Sequence, residues 1–122
     1  ISTVASQIDL APTLLSLMGV SGQTPMTGRD FTRDDQSPGR ALMQFDQNFA
    51  LLEGDQLTIL RPEQQPVSGT YDQRLKTVVL NSSAPSQARV QRALAQVLLP
   101  SWLYRQQAYQ VPEERCQVRL PC

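Results

Sequence analysis

The sequence has no histidine among its 122 residues. Histidine is the commonest general base and metal ligand, so a metal site here would need carboxylates, carbonyls, hydroxyls or thiols. A nucleophilic serine would have only Lys76 as its base, and no serine framed by glycines lies beside that lysine. The residues therefore predict no catalytic residue, no cofactor site and no metal site within this chain.

The sequence also lacks an excess of either charge. Eleven basic and eleven acidic side chains give a net charge of zero, and their scattered placement argues against binding to nucleic acid or to an anionic membrane surface. No apolar run reaches the roughly 18 residues that span a bilayer, and no signal peptide is recognisable. The length fits one domain, and because the chain starts at Ile1 without Met we expect an internal start.

Cysteine is scarce, with only Cys116 and Cys122 near the end of the chain. Their spacing fits neither a CxxC redox pair nor half of a zinc site. Two alternatives stay open: a local disulfide formed in an oxidising compartment, or two free thiols. We expect residues 110–122 to form an extended tail.

The segment from Ser6 to Gly19 carries the clearest helix pattern. Its apolar residues recur at helical spacing on one broad face: Ile8, Leu10, Leu14, Leu15, Leu17 and Met18. The pattern predicts a helix over 9–18, with Asp9 as its N-cap, Pro12 in the first turn and Gly19 closing it in the left-handed conformation.

Residues 20–40 contain glycine, proline and small polar residues without periodicity, which predicts a long surface loop. A group of three acids lies in this loop and in principle could hold Ca²⁺ or Mg²⁺: Asp30, Asp34 and Asp35. Their spacing does not fit an EF-hand, and Arg29 and Arg33 are nearby partners, so a solvated loop is the better interpretation.

Four short segments have the composition of β-strands: 41–45, 49–53, 56–61 and 75–81. Gly54 and Asp55 supply a tight turn, and Pro62 ends the third strand. Connections this short predict antiparallel pairing. The Gln- and Pro-rich link over 62–74 is expected to be a loop.

A second helical pattern runs from Ser86 to Tyr109, and Pro100 is expected to kink it or to begin a second short helix. This helix should cover one face of the sheet. The sequence thus predicts an α+β fold with an N-terminal helix, a long loop, a four-stranded antiparallel sheet and a C-terminal helix. The aromatic residues near the helix end are expected to pack against the sheet edge: Trp102, Tyr104 and Tyr109.

Two motifs in this order resemble a known family. The stretch SQIDLAPTLLSLMGV, followed by P-x-T-G-R-D-F at Pro25 to Phe31, resembles a segment near the end of the catalytic domain in sulfatases and related enzymes of the alkaline phosphatase superfamily. The stretches Asn48 to Pro66 and Arg92 to Tyr109 look like the C-terminal part of its lipoteichoic-acid-synthase-like phosphoglycerol transferases. The resemblance covers about Ser2 to Tyr109.

This resemblance implies a parent enzyme with a Thr or Ser nucleophile and a divalent metal, often Mn²⁺ or Zn²⁺, held by Asp, His and Glu residues. All of those residues would lie upstream of the matched segment, so none transfers to a position in this chain. The parent would be anchored in a bacterial inner membrane and face the periplasm or the extracellular side. It would act on phospho- or sulfo-esters of the cell envelope.

On this interpretation the chain is a non-catalytic C-terminal fragment. Residues 1–40 would belong to the end of the catalytic domain, 41–109 would form a terminal subdomain, and Arg29 and Asp30 are candidates for the active-site rim. The expected partner is the remainder of the catalytic domain, and an uncovered first helix would promote self-association. The alternative is a free-standing, non-enzymatic binding module that contacts a partner or glycan through Trp102, Tyr104 and Tyr109.

Overall fold

A computed structural model describes residues 3–33 and 36–110 of the chain. After a 3-10 turn over Gln7–Asp9, the helices and strands follow in this order: α1 Leu10–Leu17, β1 Arg40–Phe45, β2 Asn48–Glu53, β3 Gln56–Leu60, β4 Val67–Asp72, β5 Thr77–Leu80 and α2 Gln87–Arg105. The predicted α+β class is confirmed. Among the described residues, none of the helices is both long and apolar enough to cross a membrane.

The described residues divide into two compact units. The sheet unit contains residues 3–5 and 38–99, and the helix-loop unit contains residues 6–33, 36–37 and 100–110. The first part of α2 therefore belongs to the sheet unit and its last part to the helix-loop unit.

The sheet is an antiparallel meander in which the strands follow one another in chain order, from β1 to β5. It has five strands, so the predicted number of four is wrong. The missed strand is β4, whose sequence VSGTYD has few large apolar residues and a glycine at its centre. Gly69 fits there because a Cβ would come within 3.2 Å of the Val79 carbonyl oxygen on the neighbouring strand.

Turn chemistry explains where the strands end. Gly54 has φ of +63° in the predicted turn between β2 and β3, a conformation that glycine adopts without strain. Lys76 has φ of +53° and lies in the turn before β5, so its predicted place in a strand is wrong. The Asp72 carboxylate fixes this turn by accepting hydrogen bonds from the backbone N–H groups of Arg74 and Leu75, at 2.8 and 2.9 Å.

The first part of α2 packs on one face of the sheet, as predicted. Ala93 is only 1% exposed, so this position of the helix is fully covered. Around it, Arg92 makes a paired contact with the Glu53 carboxylate, with nitrogen–oxygen distances of 3.0 and 3.1 Å. Arg89 donates to the Gln56 side chain at 3.2 Å, and Arg40 on β1 donates to Gln96.

The far end of α2 differs from the sequence prediction. The helix continues through Pro100 to Arg105 as one element, and Gln107, with φ of +53°, lies beyond its end. The predicted extension to Tyr109 is therefore wrong. Pro100 lacks the N–H that would bond the carbonyl one turn back, yet the helix continues on both sides of it.

The first helix starts earlier than predicted, with a 3-10 turn that precedes α1. Ser6 is the extended residue before this turn. Asp9 occupies the N-cap position of α1, as predicted, but its side chain does not make the predicted capping bond to α1. The predicted stop is confirmed. Gly19 has φ of +73°, and its N–H and that of Val20 bond the carbonyls of Ser16 and Leu15, the pattern of a Schellman motif.

Candidate functional site

The buried carboxylate of Asp9 is the centre of the helix-loop unit. Asp9 is 2% exposed. One oxygen, Oδ2, accepts the backbone N–H of Ser6 at 2.8 Å, and Oδ1 accepts the backbone N–H of Arg29 at 2.7 Å. The carboxylate thus joins the start of the helix to a point 20 residues further along the chain. Such charge-assisted bonds are stronger than bonds between neutral groups.

Thr13 makes a second connection one turn later. Its hydroxyl Oγ1 donates to the Asp9 carbonyl at 2.7 Å and lies 3.2 Å from the Arg29 carbonyl oxygen. The same oxygen accepts the backbone N–H of Phe31 at 3.2 Å. Because a threonine hydroxyl both donates and accepts, one side chain satisfies polar backbone groups on the helix and on the loop.

Gly28 completes this arrangement because the loop backbone runs directly against the start of the helix. A Cβ at position 28 would come within 2.6 Å of the Ile8 carbonyl carbon and would overlap its oxygen. We call these residues the loop clamp: Asp9, Thr13, Gly28, Arg29 and Phe31. The clamp gives a physical reason for the joint occurrence of the two sequence motifs, since each motif supplies one half of the same contact.

The structure assigns Asp30 a local role. Its Oδ1 accepts the backbone N–H of Thr32 at 2.9 Å and the Thr32 hydroxyl at 2.6 Å, and its Oδ2 lies 3.4 Å from Nε of Arg33. The hydrogen bond from the Thr32 hydroxyl, chiefly, holds the pKa of Asp30 below its ordinary value. Thr32 also shares a hydrogen bond of 2.7 Å with Ser16 on α1.

The two rim candidates thus lie side by side at the loop clamp, and Arg29 enters it through its backbone. Their predicted place at the rim of an active site stays a prediction. Of the three acids in the loop, Asp34 and Asp35 lie outside the described residues, as do Cys116 and Cys122 with their predicted disulfide. Within residues 3–33 and 36–110, no three His, Cys, Asp or Glu side chains come together in a way that would hold a metal ion.

An apolar groove of about 420 Å³ lies in the helix-loop unit. Pro25 and Met26 of the loop line one part, and Leu103, Tyr104 and Tyr109 line another. The two tyrosine rings stack with centroids 5.9 Å apart and an angle of 12° between their planes. Sequence reasoning singled out the aromatic residues but missed that the loop meets them. Trp102 does not line the groove and is 56% exposed.

A second apolar cavity, of about 490 Å³, lies on the sheet unit. Its lining comes from the sheet face opposite α2 and from the segment before the 3-10 turn: Val4, Met43, Leu52, Leu57, Tyr71, Gln73 and Val78. Neither the groove nor this cavity brings together a nucleophile, a base and a group that would stabilise an anion, which are the parts of a hydrolytic site.

Comparison with known proteins gives one informative match. No protein-family model matches the chain. The chain is similar to a protein in the alkaline phosphatase superfamily from Vibrio parahaemolyticus, known from a crystal structure, with 36% sequence identity and a TM-score of 0.78. The likeness covers 90% of this chain and 27% of the Vibrio protein. It agrees with the superfamily that the sequence motifs indicate.

Proposed function

We propose that this chain is a non-catalytic, C-terminal part of a metal-dependent enzyme of the alkaline phosphatase superfamily. The observation that carries the proposal is the 36% identity over 90% of the chain to the Vibrio protein. Because the match spans only 27% of that protein, the catalytic residues of such an enzyme would lie in the part that this chain does not cover. The absence of histidine from the chain supports the same location for the catalytic residues, outside this chain.

The proposed parent is a phosphoglycerol or phosphoethanolamine transferase, or a sulfatase-family hydrolase, that faces the periplasm and acts on cell-envelope esters. This finer assignment is supported by the sequence motifs alone, at Ser6 to Val20, Pro25 to Phe31, Asn48 to Pro66 and Arg92 to Tyr109. In such an enzyme Mn²⁺ or Zn²⁺ would be held by residues outside this chain and would stabilise negative charge on the reacting ester.

An activity assay of two polypeptides tests the proposal. We expect the 122-residue chain to give no turnover of bis(p-nitrophenyl) phosphate or p-nitrophenyl sulfate with Mn²⁺ or Zn²⁺ added. The longer protein that carries this segment should hydrolyse at least one of them with either metal, and chelation should abolish the activity. Metal-dependent turnover by the short chain, or none by the longer protein, would contradict the proposal.

Transfer and hydrolysis separate in a second assay of the longer protein. With fluorescent phosphatidylglycerol as donor, a phosphoglycerol transferase breaks the bond between phosphate and diacylglycerol and passes glycerol phosphate to an acceptor hydroxyl. The expected products are fluorescent diacylglycerol and a glycerophosphorylated acceptor in equal amounts. Diacylglycerol with free glycerol phosphate would instead indicate a hydrolase.

The rim assignment has its own test in the longer protein. Arg29→Ala and Asp30→Ala should lower turnover if these side chains border the active site, and Arg74→Ala is the matched control because Arg74 is exposed in the turn between β4 and β5. The hydrogen bonds that Arg29 makes to Asp9 and Thr13 come from its backbone, so the Arg29 substitution keeps these bonds. Unchanged turnover in both variants, with normal folding, would remove the rim assignment.

The proposed partner of α1 is the remainder of that enzyme. Apolar side chains on this helix and at its end are exposed: Leu10, Leu14, Leu17 and Met18. A contiguous apolar surface of this kind usually marks an interaction site. In the 122-residue chain on its own, the same surface would promote self-association.

A binding module is the second candidate function, favoured by the stacked Tyr104 and Tyr109 at the apolar groove. Exposed aromatic rings offer flat apolar faces on which sugars pack. With N-acetylchitotriose as the probe, binding should change the NMR chemical shifts of the chain, and Tyr104→Ala should abolish the change while Tyr71→Ala in the sheet unit should not. No change in the native chain would discard this candidate.

A further inference from the structure

Among the residues that the structure describes, strand β5 is an edge of the sheet. It pairs with β4 on one side only, because it is the last strand in the sheet order. All four of its residues are exposed, Val79 to 64%. The segment TVVL contains no proline and no charge, which are the usual features that keep an exposed edge from pairing with another strand.

The hydrogen-bonding register shows which backbone N–H and C=O groups of β5 do not bond to β4. The N–H of Asn81 bonds the Ser68 carbonyl at 2.9 Å, and the register pairs Thr70 with Val79. Because ladder bonds in antiparallel strands involve every second residue, Thr77, Val79 and Asn81 bond towards β4. The N–H and C=O groups of Val78 and Leu80 therefore point away from the sheet.

We infer that β5 pairs with β5 of a second copy of this chain, antiparallel and centred on Val79. In this register Val78 of each copy lies opposite Leu80 of the other, so the open groups meet and form about four main-chain hydrogen bonds. Val79 lies opposite Val79 of the second copy in a non-hydrogen-bonded pair, where side chains come closest.

The charge pattern favours a second copy arranged in this way. Lys76 falls opposite Ser82 rather than opposite another lysine, so no like charges face each other. A parallel arrangement in register would place the two lysines side by side. The symmetric pairing also closes on itself, since each copy uses the same edge.

Two side chains of β5, Val78 and Leu80, extend the apolar face of the sheet. Val78 lines the 490 Å³ cavity on the sheet, and Leu80 lies on the same face because strand side chains alternate. Pairing of two copies would join their apolar faces across the new ladder. The opposite edge is a weaker candidate, because β1 begins with Arg40 and carries Gln44.

Sedimentation velocity over micromolar to millimolar concentrations tests the inference, with each β5 variant made in a Leu17→Glu background so that association through α1 does not contribute. We expect a weak dimer whose dissociation constant is micromolar or higher, because the interface is small. Val79→Lys should raise the dissociation constant about tenfold or more, because it places two lysines opposite each other. The matched control is Phe45→Lys, since Phe45 is 83% exposed on the other edge strand, and it should leave the dimer unchanged.

Charge complementation and cross-linking make the test specific for the register. A mixture of Val79→Lys and Val79→Glu chains should regain association that neither variant shows alone. In a background with Cys116→Ser and Cys122→Ser, Val79→Cys should oxidise to a covalent dimer, because non-hydrogen-bonded pairs have Cα atoms about 4.5 Å apart. Phe45→Cys in the same background should form no covalent dimer, because position 45 lies on the other edge strand.

Three results would overturn the inference: a monomeric native chain at millimolar concentration, a Val79→Lys variant that dimerises like the native chain, or a Val79→Cys variant that does not cross-link. Circular dichroism of each variant verifies folding, and Val79→Thr, which keeps a β-branched side chain, should still dimerise. If the native chain associates and Leu17→Glu alone is monomeric, the association is made by α1 and not by β5. The inference does not depend on the proposed function.

Discussion

At the scale of single residues, the buried carboxylate of Asp9 connects two distant segments of the helix-loop unit. Its two oxygens receive backbone N–H groups from Ser6 and Arg29, and burial removes water as a substitute partner. A buried polar group that loses its partner costs the full price of desolvation. This is why a residue that looks like an ordinary helix cap instead fixes a distant loop.

We predict that Asp9→Asn destabilises the helix-loop unit by about 1.5–3 kcal/mol. The substitution keeps the shape but places an amide N–H₂ against a backbone N–H. Urea unfolding followed by Trp102 fluorescence measures it, because the only tryptophan lies in the same unit. Asp46→Asn, at an exposed turn, is the control and should stay within about 0.5 kcal/mol. Equal stabilities would contradict the role given to Asp9.

A matched pair of glycine substitutions tests the close approach of loop and helix. Gly28→Ala should destabilise the chain by about 1–3 kcal/mol, since its Cβ would overlap the Ile8 carbonyl. Gly22→Ala meets nothing within 4 Å, and the loss of backbone freedom in the unfolded chain should leave it neutral or slightly stabilised. The same fluorescence-detected unfolding compares them, and a neutral Gly28→Ala would show that the loop can move aside.

Asp30 gives a prediction in pH. The Thr32 hydrogen bonds lower its pKa in the folded state, so its contribution to stability is present above the pKa of the unfolded chain, about 3.9. That contribution is lost as the pH falls through the lower folded value. Carboxyl NMR titration should show a midpoint for Asp30 that rises towards the ordinary value in Thr32→Val. Thr24→Val should not move it.

At the scale of elements, the interface between α2 and the sheet is built around a small residue. Ala93 is buried at 1% exposure, and charged or amide side chains of α2 reach the ends of β1, β2 and β3 around it. The Arg92–Glu53 pair is partly exposed, with side chains 53% and 31% accessible, so solvent screening keeps its contribution to stability small. Close packing therefore matters more here than charge.

Ala93→Leu should accordingly destabilise the sheet unit by about 1–3 kcal/mol, because the interface has no space for three further carbon atoms. Ala95→Leu, at an exposed position of the same helix, should change stability by less than about 0.5 kcal/mol. Thermal or urea unfolding monitored by far-ultraviolet circular dichroism measures both. Similar values for the pair would mean that α2 does not lie tightly on the strands.

At the scale of the whole molecule, the exposed apolar surface of α1 indicates an interaction site. Leu17 is 69% exposed, and covering an apolar surface of this kind is favourable in water. We propose above that the rest of a longer enzyme covers it. The 122-residue chain should therefore associate on concentration.

Leu17→Glu should lower that association several-fold in static light scattering, because a charge in an apolar contact must be desolvated. The matched control is Leu75→Glu, which changes an equally exposed leucine in the turn before β5. If both variants associate like the native chain, the α1 surface is not an interaction site.

The sequence alone determined the elements that depend on local chemistry. Helical spacing and Gly19 defined α1 and its end, and Gly54 located a hairpin, because capping and turn geometry involve residues that are neighbours in the chain. The two motifs also sufficed to indicate the superfamily to which the Vibrio protein belongs. Strand β4 escaped prediction because VSGTYD is held by its neighbours on both sides rather than by its own composition.

Only the tertiary structure decided what the motif residues do. The sequence placed Asp9 at a helix start, but its bond to Arg29 joins positions 20 residues apart. The need for glycine at position 28 likewise depends on a carbonyl that only folding brings near. Long-range contacts of this kind have no local signature, because the chain can close a loop of that length in many ways and packing selects one of them.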